Sequence, residues 1–209
     1  MKTQNRSQLE FVVIMAALMS MVALSIDAVL PALPDIGDYL SVTNQNENQK
    51  LITMIFLGLG IGQLIFGPLS DSFGRKPIVY VGFVIFIIAS YICLSTKSFQ
   101  VMIIGRILQG FGLSAMRSIA ISMVRDIYEG DYMARIMSFV TVVFLLIPIV
   151  APAMGKVVLD TWNWQGIFIV QVIISVLVMF WFWKRQHETL TPDKRIPYSV
   201  KRILSGFYE

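Results

Sequence analysis

Six long apolar runs, each wide enough to cross a hydrocarbon layer, constrain this chain more than any other feature. They cover residues 11–33, 51–69, 78–94, 99–121, 137–158 and 164–183. About 20 mostly apolar residues carry a helix across a core of about 30 Å. No water reaches backbone amides there, so only helices and closed barrels can span it. Barrel strands would be shorter and would alternate in polarity, which these runs do not. The expectation is an all-α, polytopic membrane protein. A six-helix bundle should fill residues 11–183, after an N-terminal segment at 1–10 and before a basic tail at 184–209.

Composition agrees. Of 209 residues, 56% are hydrophobic and 14% charged, where a soluble domain carries about a quarter charged. Disorder is excluded for the same reason. A single cysteine (Cys93) and a single histidine (His187) remove disulfide scaffolds and zinc sites, which need about four such ligands, so no metal or cofactor is expected. The first run is too long for a secretory signal and contains an aspartate, which argues against cleavage.

Lysine and arginine set the orientation. Twelve lie at the N-terminus, in the second and fourth connections and in the tail, against three (Lys50, Lys97, Lys156) on the other side. That asymmetry puts both termini in the cytoplasm. It also accounts for a pI near 9.3 without nucleic acid, because the basic residues merely flank spans. Trp162 and Trp164 at one end of the sixth span, with Trp181 and Trp183 at the other, match interfacial belts.

Ionisable side chains inside the membrane each need a partner or a purpose. Asp27 lies about 9 Å below the outer end of the first span, and Arg106 about 10 Å below the same surface in the fourth. Their equal depth predicts an ion pair, either a static fastening or part of a substrate or proton path, and the second reading is preferred. Arg117 is near enough to the inner face to snorkel. Gln63 and Gln109 can line a cavity or bond a neighbouring helix. Gly58 and Gly62 form a G-x-x-x-G that permits close helix approach, and Gly60 and Gly67 share that span. Pro148, Pro152 and Gly155 predict a bent or hinged fifth helix. The stretch 67–77 predicts a tight turn, with Gly74 at a left-handed helix end and Pro77 in the next first turn. The orientation rule does not require Asp71 there, so a specific electrostatic contact is implied.

That stretch resembles the G-x-L-[SA]-D-x-x-G-R-[KR] signature between helices two and three of the major facilitator superfamily, with Gly67, Asp71, Gly74, Arg75 and Lys76 in register. Residues 25–34, around Asp27, resemble the first-helix motif of drug:proton antiporters, in particular the bicyclomycin-resistance branch. Arg106, Gln109, Gly110 and Gly112 resemble the fourth-helix R-x-x-Q-G-x-G motif. Residues 150–155 are similar to the fifth-helix antiporter motif, and Trp162, Asn163, Trp164 and Phe168 fit the segment after it. Lys156 departs from the pattern, where a second glycine is expected. The likeness runs from about residue 11 to 190.

The resemblance implies that Asp27 is the protonatable carboxylate and Arg106 its coupled partner. It implies that Asp71, Arg75 and Asp126 form a cytoplasmic charge network holding the inner side shut, and that the protein resides in a bacterial inner membrane. It also implies a fold of twelve helices with the substrate between two halves. Six are present here, so the expectation is an N-terminal half lacking its C-terminal six-helix partner, with residues 194–209 beginning the connecting linker. The expected function is proton-coupled efflux of hydrophobic drugs by alternating access. Lipid, protons and drug-like molecules would be the partners, and Met15, Met19, Phe56, Gln63 and Gln109 candidate cavity residues. The alternatives are a metabolite transporter of the same superfamily and a non-transporting membrane scaffold. An intramembrane serine enzyme built on Ser114 lacks a base within reach, since His187 lies beyond the last span.

Overall fold

The computed structural model describes residues 8–196. Residues 1–7 and 197–209, which include most of the expected N-terminal segment and the far part of the basic tail, lie outside it. Six helical spans are present where hydropathy places them, and no strand occurs among the described residues. The helices are α1 (Gln8–Asp27), α2 (Leu33–Tyr39), α3 (Lys50–Phe73), α4 (Arg75–Ser95), α5 (Phe99–Ile127), α6 (Gly130–Thr161) and α7 (Trp164–Arg185).

Three boundaries differ from expectation. The first span is two pieces: α1 stops at Asp27, a short 3-10 turn covers Leu30–Ala32, and α2 follows. Pro31 is the cause, because a proline clashes with the carbonyl four residues back and offers no amide to it. Residues 67–73, expected in a turn, are the last two turns of α3, and α4 begins at Arg75. Gly74 alone joins them, at φ 103°, ψ 156°, a positive-φ conformation that L side chains rarely adopt. α6 starts seven residues earlier than hydropathy suggested and runs unbroken through Pro148 and Pro152.

α5 is the centre of one side of the bundle, with α3 and α4 against opposite faces. Residues two apart on a helix point about 200° apart, so Gly110 meets α3 while Gly112 meets α4. A Cβ on Gly110 would lie 1.9 Å from the Ile55 carbonyl oxygen, and one on Gly112 2.6 Å from that of Gly82. Gly58 makes the reciprocal approach, 2.0 Å from the Ile107 oxygen. Backbone-to-backbone seams therefore replace side-chain interdigitation, as the G-x-x-x-G predicted. α1 packs between α5, α6 and α7, burying Ile14, Met15, Leu18 and Met21.

The tryptophans divide. Trp162 and Trp183 are 63% and 60% exposed at the two ends of α7 and can serve as belts, whereas Trp164 is buried at 4%. Trp164 packs on Tyr39 and Phe168, with ring centroids 5.2 and 6.1 Å away. Trp181 turns its indole N–H to Glu10.

Candidate functional site

Two polar assemblies stand out, one deep in the bundle and one at the end bearing Gly74. The deep one is centred on Arg106, whose side chain is fully buried. Its Nε donates to the Leu51 carbonyl on α3 at 3.0 Å. Both terminal nitrogens donate to the Ser25 carbonyl on α1 at 3.2 Å, and Nη1 also donates to Gln109 Oε1 at 2.9 Å. Gln109 passes the network on by donating to Ser90 Oγ on α4 at 2.8 Å. One guanidinium thus ties four helices. A buried charge is costly unless hydrogen bonds replace its hydration; here four of the five N–H groups are used.

The expected Asp27–Arg106 ion pair is not formed. The depth estimate is right, since Ser25 is two residues from Asp27, but direction is not. Helix neighbours at i and i+2 do not face each other. Ser25 points inward and is fully buried, while Asp27 is half-buried on another side of α1. Arg106 instead takes up a carbonyl in the last turn of α1, where no following helical amide is available.

The fifth-helix motif meets this point. A Cβ on Gly155 would lie 2.1 Å from the Ala28 carbonyl oxygen. Its absence lets α6 press on the break immediately after Asp27. Lys156, the departure from the motif, is exposed and pairs with Asp160 at 2.7 Å on its own helix.

At the Gly74 end, Arg75 is nearly buried and takes four acceptors. Nε and Nη2 donate to the two oxygens of Asp126 at 3.0 and 3.3 Å, and Nη1 donates to Ser70 Oγ at 2.7 Å and to Asp71. The fork of the guanidinium matches the Asp126 carboxylate, the arrangement that gives such pairs direction as well as strength. Lys76 donates to the Trp183 carbonyl on α7 at 3.2 Å, and Arg185 grips Glu10 on α1 with Nη2 to Oε2 at 2.7 Å. Polar links therefore join α3, α4, α5, α7 and α1 at this end.

The sequence did not reveal the segment that follows α7. Glu188 reaches across the α3–α4 junction, its Oε1 accepting from the Arg75 amide at 2.9 Å and its Oε2 from the Lys76 amide at 3.0 Å. Thr189 Oγ1 donates to Asp126 at 2.8 Å, and the Ile196 amide to the Asp71 carbonyl at 3.1 Å. No local pattern marks Glu188, because its partners lie 113 and 112 residues away.

The residues expected to line a cavity divide between the core and the outer face of α3. Met15 is sealed in the core, Met19 is 6% exposed, Gln109 belongs to the Arg106 network, and Phe56 and Gln63 project outward from α3. An apolar crevice of about 340 Å³ opens between α1, α6 and α7, lined by Val13, Ala17, Leu24, Ile147, Met154 and Ile174. Its α1 wall is the stripe 13, 17, 20, 24; Met15 and Met19 fall on the opposite side of that helix. Hydropathy alone gives no signal of which stripe it would be. Ser114 donates to the Phe111 carbonyl of its own helix at 2.6 Å, a structural role.

Comparison with known proteins comes to the same place. The family model described as Major Facilitator Superfamily matches residues 13–205. The Haemophilus influenzae bicyclomycin resistance protein homolog is 29% identical, over 98% of this chain and 51% of its own length. Multidrug resistance protein D of Escherichia coli is 28% identical, over 99% and 53%, and the uncharacterized transporter YdgK of Bacillus subtilis 34% identical, over 94% and 49%. The chain spans about half the length of the curated relatives it matches. In fold it is similar to the human organic anion transporter MFSD10, with a TM-score of 0.73 at 16% identity, over 96% of this chain and 53% of that one.

Proposed function

The chain belongs to the Major Facilitator Superfamily, and from that premise we propose that it is one half of a proton-coupled exporter of hydrophobic drugs. It is a multi-pass membrane protein of a transporter family and not an enzyme. The drug assignment is supported by the names its relatives carry. The second six-helix unit comes from the remainder of the same polypeptide or from another chain.

The carrying observation is that Arg106, on the Ser25 carbonyl, and Gly155, against the Ala28 carbonyl, bracket Asp27 at the break between α1 and α2. Asp27 is the proton acceptor. It is half-buried and free of an ion pair among the described residues, so protonation requires no bond to be broken. Arg106 acts as the fixed charge that holds the end of α1 against α3 and α5. Protonation removes the negative charge beside this junction and changes which packing of α1 against α6 is stable; drug leaves outward as the proton enters. The Gly74 end faces the cytoplasm of a bacterial inner membrane, on the lysine and arginine asymmetry, and the Arg75–Asp126 network closes it.

The decisive experiment expresses the chain with a complementary six-helix half in cells lacking drug pumps. Resistance and proton-driven efflux are measured for the native chain and Asp27→Asn. Loss of efflux with unchanged membrane insertion is expected. Undiminished efflux by Asp27→Asn overturns the coupling role.

A metabolite transporter of the same superfamily is the second reading. Arg106 speaks against an anionic metabolite bound there, because four of its five N–H groups are occupied by protein oxygens. Export of metabolites but not of drugs in the same cells would favour it; insensitivity to both Asp27 and Arg106 substitutions would favour a scaffold.

A further inference from the structure

We propose that residues 186–196 form a strap that holds the Gly74 end of the bundle shut, with Glu188 as its latch on α4. This rests on the reading of the Arg75–Asp126 network as a closed end and adds a component to it.

α4 begins without a side-chain cap, since Gly74 precedes it. The first amides of a helix have no helical acceptor, and the Glu188 carboxylate supplies one to each of Arg75 and Lys76. It places negative charge where the helix dipole is positive. Gly74 makes the seat possible: a Cβ there would come within 2.8 Å of Glu188 Oε2. The glycine of the junction is therefore required for the latch as well as for its own φ.

Three further contacts make the segment a strap. Thr189 bonds the same Asp126 oxygen that Arg75 Nε uses, so the segment and α4 share one acceptor on α5. The Ile196 amide bonds the Asp71 carbonyl at the end of α3. Leu190 is buried at 7% exposure. The segment leaves α7 and touches α4, α5 and α3 in turn, all three helices of the charge network. Glu188 itself is exposed. It can exchange two backbone donors for water at little desolvation cost, which distinguishes a releasable latch from a permanent fastening such as Arg106.

The test uses the purified chain in lipid nanodiscs. Amide exchange at Arg75 and Lys76 should quicken about fivefold in Glu188→Ala and return to the native rate in Glu188→Asp, which keeps the charge. A thiol placed by Leu190→Cys should change from unlabelled to labelled by a water-soluble maleimide when Glu188→Ala is added. One placed by Val79→Cys, buried near the start of α4, should follow it as that end opens. Cys93, buried near the far end of α4, should stay unlabelled in every variant. Unchanged exchange at Arg75 and Lys76 overturns the latch. Faster exchange with Val79→Cys still protected reduces Glu188 to a local cap and overturns the strap. Labelling of Cys93 marks general loosening and also overturns it. Asp126→Asn separates the two readings. If it exposes Val79→Cys while Glu188→Ala does not, the network stands and the strap falls; the reverse result leaves the strap without its network.

Discussion

Arg106 and Ser25 are joined by two hydrogen bonds of 3.2 Å to a single carbonyl oxygen, and Asp27, two residues further along, takes no part. On the proposed function this separates charge-keeping from proton-taking. Asp27→Asn should leave thermal stability in detergent within about 0.5 kcal/mol while abolishing proton-driven efflux. An ion pair would give a different result, since breaking a buried pair costs about 3–5 kcal/mol.

Arg106→Lys is not conservative here. A lysine has one nitrogen and cannot reach Leu51, Ser25 and Gln109 together. A loss of about 2–4 kcal/mol is expected for the buried acceptors left unpaired. Denaturant unfolding of the reconstituted chain measures it; a change under about 1 kcal/mol would mean that the carbonyls do not depend on the guanidinium.

The glycine seams make opposite predictions for two positions on one motif-bearing pair of helices. Gly110→Ala would place a methyl 1.9 Å from the Ile55 oxygen, and overpacking of this kind costs about 1–3 kcal/mol. Gly60→Ala meets nothing within 4 Å and should gain up to about 1 kcal/mol from helix propensity. Melting curves of the two variants side by side test whether the seam, and not glycine content, holds α3 to α5.

Asp126→Asn removes the forked acceptor of Arg75, whose side chain is 8% exposed. The asparagine can accept with one oxygen only, so a loss of about 1–3 kcal/mol is expected. It should survive raised salt, because pairs this buried are weakly screened. Lys156→Gly, which restores the expected motif residue on an exposed face, should cost about 1 kcal/mol in helix propensity and leave efflux unchanged. If Lys156→Gly altered efflux, the outer part of α6 would have a role its surroundings do not explain.

The six spans were legible because hydrocarbon leaves few backbone options, and hydropathy reports that directly. The break after Asp27 was also written in the sequence, in Pro31, but an unbroken apolar run concealed it. Depth arithmetic put Asp27 and Arg106 level; it carries no azimuth, and azimuth decided that Ser25 and not Asp27 would meet the guanidinium. The same blindness set Met15 and Met19 beside a cavity, where the structure buries them in the core. The Gly110 and Gly112 seams follow from the 3.6-residue period once neighbours are known, but one chain does not say which helices are neighbours. Glu188 was invisible for a different reason: a carboxylate capping a helix 113 residues earlier leaves no local pattern.

Polar links bind the Gly74 end of five spans together, and α6 is outside them: among the described residues no hydrogen bond or ion pair ties its first turns to another helix. Its inner half is held by apolar packing alone, at Ile136 and Val140, and its closest backbone approach is Gly155, pressed on Ala28, about 37 Å from its first residue along the axis. The residue after Asp27 is then the point about which α6 would tilt. A tilt of about 3° there would carry the opposite tip by about 2 Å, so on the proposed function a proton taken up at Asp27 would act on the far mouth of the bundle through α6.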